Sequence, residues 1–96
     1  MSPALHPGTL HILNKAPGHS RFITCLANLT NQDTLVLTEN AVLAASDADT
    51  KLPEGTVALG ADIEARGLSD AMPVEKQIDH QQLVRLTEQY ARIISW

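Results

Sequence analysis

Short apolar runs alternate along the chain with segments in which apolar residues recur at helical spacing. The runs TLHIL, TLVLT and TVALG are bounded by turn residues and predict buried strands over residues 9–13, 34–38 and 56–60. A weaker run, PVEKQI, predicts a fourth strand over 73–78, and the final IISW predicts a fifth. Because the centre of TLVLT is apolar without a break, we expect strands covered on both faces, as in a parallel sheet.

Three segments between these strands predict short helices. The first follows Ser20, a suitable N-cap, and its apolar residues recur at helical spacing: Phe22, Ile23, Leu26 and Leu29. The segment NAVLAASDA predicts a second helix capped by Asn40. The segment ADIEARG predicts a third helix that ends with Gly67 in the left-handed conformation.

The last predicted helix completes an α/β pattern. Asp79 and Gln82 resemble a capping box at its start, and one face carries Leu83, Val84, Thr87, Tyr90, Ala91 and Ile94. Strands that alternate with helices predict a three-layer α/β/α sandwich on a mostly parallel sheet of about five strands. We therefore place a single domain at residues 9–96, after a flexible lead-in at residues 1–8 that contains two prolines and a glycine.

Charge and composition argue against several classes of function. Seven basic and eleven acidic residues give a net charge of −4 without a basic cluster, so we expect no direct nucleic-acid binding. The sequence contains neither an apolar segment of about 20 residues nor a signal peptide, so we expect a cytoplasmic protein without membrane contact. The four histidines are scattered and no glycine-rich phosphate loop occurs, so we expect no metal and no cofactor.

Cys25, in RFITCLANLT, is the single cysteine and therefore the one candidate for thiol chemistry. Helical spacing predicts that it lies partly exposed on the shoulder of the apolar face, and Arg21 four residues earlier would lower the thiol pKa. A free cysteine is also among the residues most often buried without a chemical role. Spacing leaves both alternatives open, a thiol that carries sulfur and a structural apolar residue.

Other candidate residues stand at the ends of predicted elements. Asn14 and Lys15 follow the first strand, where parallel sheets place their sites, although a polar turn explains them better. Arg66 suits the end of a helix, where its charge complements the helix dipole. Trp96, in a chain with few aromatic residues, indicates either a partner surface or packing against the last helix.

Four segments occur in an order that resembles a known family. They are LHILNKAP, ADIEARGL, IDHQQLVRLT and the final SW. Together they resemble the TusB/DsrH family, the smallest subunit of DsrEFH-type sulfur-relay proteins, over about residues 9–96. After the second strand the family often has Asp-Gly, whereas this chain has Asn40-Ala41.

The resemblance implies a subunit of a sulfur-relay complex assembled as a dimer of heterotrimers. TusC/DsrF-like and TusD/DsrE-like subunits would be its partners, the latter carrying the main persulfide-forming cysteine. A TusE/DsrC-like acceptor would be reached indirectly, and the relay would support 2-thiolation of the tRNA wobble uridine. Cys25 falls where DsrH-like members carry a cysteine, which implies an accessory sulfur acceptor. We expect interface or supporting roles for His11, Asn14, Lys15, Arg21, Arg66, Gly67 and Trp96.

Several alternatives stay open at this point. A DsrH-type subunit would serve sulfur oxidation, with Cys25 as sulfur acceptor. A free-standing thiol enzyme would form a persulfide on Cys25 unaided, and a small-ligand binding module would use the same scaffold for a pocket. The isolated chain is also expected to be able to form a homodimer through the surface that its partners cover.

Overall fold

A five-stranded, entirely parallel sheet forms the centre of the molecule. The computed structural model describes residues 4–96, and the strand order across the sheet is β4-β3-β2-β1-β5. The strands are β1 (His6–Leu13), β2 (Thr34–Leu37), β3 (Val57–Leu59), β4 (Gln77–Ile78) and β5 (Tyr90–Ser95). The predicted parallel sheet of about five strands is confirmed.

The helices are short and two of the connections are 3₁₀ helices. The α-helices are α1 (Ser20–Ala27), α2 (Gly60–Ala65) and α3 (His80–Gln89), and the 3₁₀ helices span Glu39–Ser46 and Val74–Lys76. No helix within residues 4–96 is long and apolar enough to cross a membrane.

Apolar side chains cover both faces of the sheet, which confirms the three-layer α/β/α arrangement. On one face, called here the cysteine face, strand residues such as Leu13, Leu35 and Leu37 pack with Phe22 and Cys25 of α1. On the opposite face, called here the α3 face, the buried residues are Leu10, Val36 and Ile78, and Leu83 and Leu86 of α3 pack against them. The cysteine face holds the larger buried cluster.

The boundary between α3 and β5 differs from the sequence prediction. The chain changes from helix to strand at Tyr90, so Tyr90, Ala91 and Ile94 lie in β5 and not on the apolar face of the last helix. β5 pairs along β1, with Ile94 opposite His11. Pairing with the neighbouring strand therefore outweighs the helical spacing of these residues, which is a weak local preference by comparison.

Other boundaries also move by a few residues. His19, whose side chain accepts the N–H of Arg21, caps α1 in place of Ser20. The second predicted helix is a 3₁₀ helix that begins at Glu39 and follows Thr38, so Asn40 is not its cap. Glu39 also has a positive φ of 49°, a conformation that few residues other than glycine adopt. The fourth predicted strand shortens to Gln77–Ile78 because a 3₁₀ turn occupies the residues before it.

Two predicted local features are confirmed. Asp79 and Gln82 form a reciprocal capping box at the start of α3, with each side chain bonded to the backbone of the other residue. Gly67 follows α2 with φ of 67°, the left-handed conformation that ends a helix.

The first strand begins at His6, earlier than predicted, so His6, Pro7 and Gly8 of the predicted lead-in belong to the sheet. Residues 1–3 of that lead-in lie outside the described residues. Gly8 is required by a close approach, because a Cβ at this position would lie 1.8 Å from the backbone oxygen of Gln32. The strand is thereby held against the loop that precedes β2.

Candidate functional site

A chain of three hydrogen-bonded side chains links β1, the start of β2 and the end of β5 on the cysteine face. His11 Nε2 lies 2.9 Å from a carboxylate oxygen of Asp33, and the indole N–H of Trp96 donates to His11 Nδ1 over 3.0 Å. The imidazole and indole rings are stacked, with centroids 6.1 Å apart. His11 is only 2% exposed, so this polar chain lies inside the fold.

These partners assign the tautomer of His11. An indole N–H can only donate, so Nδ1 of His11 must accept and carries no proton. The proton of the neutral ring is then on Nε2, which donates to the carboxylate of Asp33. His11 therefore accepts a hydrogen bond from Trp96 on one nitrogen and donates one to Asp33 from the other. A neutral imidazole, with one acceptor and one donor, makes both bonds.

Asp33 is the residue of this cluster that the sequence analysis missed. Its side chain is 8% exposed, and its two oxygens accept the N–H groups of Thr9 and Thr30, the hydroxyl of Thr30 and His11. Burial by itself raises the pKa of Asp33, but these hydrogen bonds more than offset it and hold the pKa well below its ordinary value. The one sequence signal was a carboxylate directly before a buried strand, a common position for a turn residue.

Trp96 is fixed by its backbone as well as by its ring. Its N–H donates to the carbonyl of Ile12 over 2.8 Å, and its backbone oxygen accepts from Lys15 Nζ over 3.2 Å. Lys15 also donates to the side chain of Asn14. Four residues singled out in the sequence, His11, Asn14, Lys15 and Trp96, are thus brought together around the ends of β1 and β5.

Cys25 does not have the exposure that helical spacing predicted. Its relative exposure is 0%, and it packs inside the cluster of the cysteine face. Burial raises the pKa of the Cys25 thiol to about 11. The prediction that Arg21 lowers this pKa is wrong: the Arg21 side chain is exposed to solvent, and the cause of the shift is burial of the thiol, which raises its pKa.

Arg66 and Gly67 belong to a different part of the surface. Arg66 donates to the side chain of Asn40 over 3.0 Å and to the carbonyl of Asp62 over 3.3 Å. A carboxylate oxygen of Asp62 in turn accepts the N–H of Glu39 over 2.8 Å. These contacts connect α2 to Glu39 and Asn40, which follow β2.

A pocket of about 360 Å³ opens beside the Trp96 end of this cluster. The residues that line it include Arg92 and Ile94 of β5 and Thr30, Gln32 and Asp33 from the loop before β2. Within residues 4–96, no three His, Cys, Asp or Glu side chains lie close enough to share a metal ion. The cluster can orient the Trp96 ring and hold the buried carboxylate of Asp33. It contains no thiol, so it does not itself carry sulfur.

Comparisons with known proteins identify the family. The model of the DsrH-like protein family matches residues 15–93. Protein TusB of Escherichia coli O1:K1 is 33% identical over 98 aligned residues, which cover 91% of this chain and 99% of the relative. The same values hold for Protein TusB of Shigella boydii serotype 18 and of Escherichia fergusonii. The chain therefore belongs to the TusB/DsrH family, and this membership supports its place as a sulfur-relay subunit.

Proposed function

We propose that the chain is a non-catalytic subunit of a sulfur-relay complex that supports 2-thiolation of the tRNA wobble uridine. The observation that carries this proposal is the match to Protein TusB over 91% of the chain, together with a single cysteine that is fully buried. A relay thiol must attack as the thiolate and must be reached by its partner. Cys25 meets neither requirement in the folded chain.

The buried cysteine favours a supporting role over a free-standing thiol enzyme. A persulfide is passed on by attack of a thiolate on its outer sulfur, and a thiol with a pKa of about 11 is almost entirely protonated at neutral pH. The main transfer would therefore take place on a cysteine of another subunit. This chain would contribute to assembly and to the shape of the shared surface.

Exposed apolar side chains offer a surface for such partners. Val84 of α3 is 55% exposed, and Ile93 and Ile94 of β5 are 44% and 40% exposed. β5 is also an edge strand, which leaves backbone groups on one side without a neighbouring strand. TusC/DsrF-like and TusD/DsrE-like subunits are the proposed partners, with a TusE/DsrC-like acceptor reached through them. In their absence, the same surface would hold a homodimer.

Direct contact with tRNA is not part of the proposal. The net charge is −4, and phosphate neutralisation by basic residues supplies most nucleic-acid affinity. The tRNA would therefore be bound by other components of the relay in the cytoplasm.

Deletion of the gene tests the proposed function. Loss of 2-thiouridine from digested tRNA, measured by mass spectrometry of nucleosides, is expected in the deletion strain, and the wild-type gene should restore it. Cys25→Ala should restore it as well, because the transfer is assigned to another subunit. Unchanged 2-thiouridine in the deletion strain would contradict the proposal.

A DsrH-type role in sulfur oxidation is the second candidate, and the position of Cys25 in α1 favours it. In that role Cys25 would accept sulfur, which requires α1 to move away from the sheet when a partner binds. Loss of sulfur oxidation in a Cys25→Ala strain, with normal 2-thiouridine, would favour this candidate over the first.

A further inference from the structure

We propose that His11 and Trp96 form a pH-sensitive latch, in which neutral His11 holds the Trp96 indole against the sheet and protonation of His11 releases it. The inference rests on the geometry of the hydrogen-bonded chain and does not depend on the sulfur-relay assignment. It concerns the buried side chain of His11, to which the proposed function assigns no role.

The latch follows from the donors and acceptors on the two rings. The indole N–H of Trp96 points at Nδ1 of His11 over 3.0 Å, and this bond exists only while Nδ1 has a free lone pair. A protonated imidazole carries a hydrogen on both nitrogens. Two N–H groups would then face each other, and the bond to Trp96 would be replaced by a repulsive contact.

Protonation breaks the hydrogen bond to Trp96 and not the one to Asp33, because Asp33 accepts a hydrogen bond from His11 in either state. Nε2 of His11 already donates to the carboxylate of Asp33, and a charged ring strengthens that contact. Asp33 is held in place by backbone N–H groups of Thr9 and Thr30. The ring therefore stays with Asp33, and the indole is the partner that leaves.

Asp33 is the charged group bonded to His11, and three further charged or titratable residues lie around its other partner, Trp96. Asp33, before β2, favours the protonated ring, while Arg92 of β5, which lines the same pocket as Asp33 and Trp96, opposes it. Lys15, after β1, bonds to the backbone oxygen of Trp96. The thiol of Cys25, on α1, lies in the apolar cluster against which Trp96 packs.

Release of the indole changes the pocket beside β5. Trp96 is one of the residues that line this pocket of about 360 Å³, together with Arg92, Ile94 and Asp33. With the indole displaced, the protonated His11 ring becomes accessible from the pocket, which Asp33 already lines. The surface at the end of β5 would therefore differ between the neutral and the protonated state of His11.

Nuclear magnetic resonance of the full chain labelled with ¹⁵N tests the latch without any substitution. Trp96 is the only tryptophan, so its indole N–H gives a single assigned signal, and the ring nitrogens of His11 report the protonation state directly. The pH is lowered stepwise from about 8 to 5, and the ring-nitrogen signals show at which step His11 carries a proton on both nitrogens. At the same step, the indole N–H should lose its protection from exchange with water.

Two variants sharpen the test. His11→Gln keeps an acceptor for the indole and a donor for Asp33 but does not titrate, so the pH-dependent loss of protection should disappear. His80→Gln removes an exposed histidine and should leave that loss unchanged. An indole signal that stays protected while His11 titrates would overturn the proposal. So would a His11 ring that remains neutral down to pH 5, or a transition that persists in His11→Gln.

Discussion

At the scale of single residues, burial acts on Asp33 and Cys25 in opposite ways. Both side chains are almost completely removed from water, and removal from water disfavours the charged form of each. Asp33 is surrounded by hydrogen-bond donors and keeps its charge, so its pKa is lowered. Cys25 has only apolar neighbours in the core cluster, so its pKa rises and it stays a neutral thiol. The difference lies in the partners and not in the depth of burial.

Asp33→Asn should destabilise the fold at neutral pH by about 2 kcal/mol, the magnitude of lost hydrogen bonds to a charged group. The amide replaces one acceptor with a donor, which then faces N–H groups. Urea unfolding measures the effect, and Asp70→Asn at an exposed position is the control, expected within about 0.5 kcal/mol of wild type.

The pH dependence of this difference has a defined sign. The pKa of Asp33 is lower in the folded state than the ordinary value of about 3.9, so its contribution is complete above about pH 5 and is lost as the pH falls towards the folded pKa. The gap between Asp33→Asn and wild type should therefore be wide at pH 7 and narrower at pH 3. An equal gap at both values would contradict the assigned role of the carboxylate.

The thiol of Cys25 should react slowly with Ellman's reagent at pH 7 in the folded protein. A pKa raised from 9.0 to about 11 makes the thiolate fraction about a hundredfold smaller, and burial limits access further. The rate should rise to that of an ordinary thiol in urea. The matched control is Ala27→Cys in a Cys25→Ala background, which places a thiol at an exposed position of the same helix. Equal rates at the two positions would show that Cys25 is accessible.

At the scale of elements, the sequence predicts a strand well where apolar residues point to both faces of the sheet. The strands β1, β2 and β3 were each predicted within a few residues, because buried parallel strands are continuous apolar runs. The fifth strand was predicted at 93–96, but its first half was missed, since Tyr90 and Ala91 also match the helical spacing of the preceding segment. Only the pairing with β1, a contact between distant parts of the chain, decides between the two structures.

Two of the three hydrogen-bonded residues of the candidate site were singled out from the sequence, but the hydrogen bonds between them were not predictable. His11 and Trp96 were singled out from the sequence, yet the hydrogen bond between them joins positions 85 residues apart. Asp33 lies 22 residues from His11 and looked like an ordinary turn residue. The exposure of Cys25 was misjudged because helical spacing gives a direction around α1 and does not show how closely the sheet and neighbouring helices approach that side.

The first half of β1 provides a test of the packing between elements. Gly8→Ala should destabilise the protein by about 2 kcal/mol or more, because the new methyl group would overlap the backbone oxygen of Gln32 and force β1 away from the loop before β2. Gly60→Ala is the matched control, since its nearest neighbour, the backbone oxygen of Ile78, would lie at an ordinary 3.5 Å. Thermal unfolding distinguishes them, and a neutral Gly8→Ala would show that the close approach does not exist.

At the scale of the whole molecule, the sheet has one protected edge and one open edge. β4 is only two residues long, whereas β5 is six residues long and carries the exposed Ile93 and Ile94. Long apolar edge strands favour association with other chains. The open edge and the exposed Val84 of α3 are therefore consistent with a chain that functions in an assembly.

Native mass spectrometry after co-expression with the TusC/DsrF-like and TusD/DsrE-like subunits of the same organism tests the central claim most directly. A subunit of the relay should co-purify in one complex with equal copies of the three chains. Ile93→Lys combined with Ile94→Lys should weaken that complex, because both side chains lie on the proposed partner surface of β5. A chain that separates cleanly from both partners at micromolar concentration, while the two partners still assemble, would contradict the account.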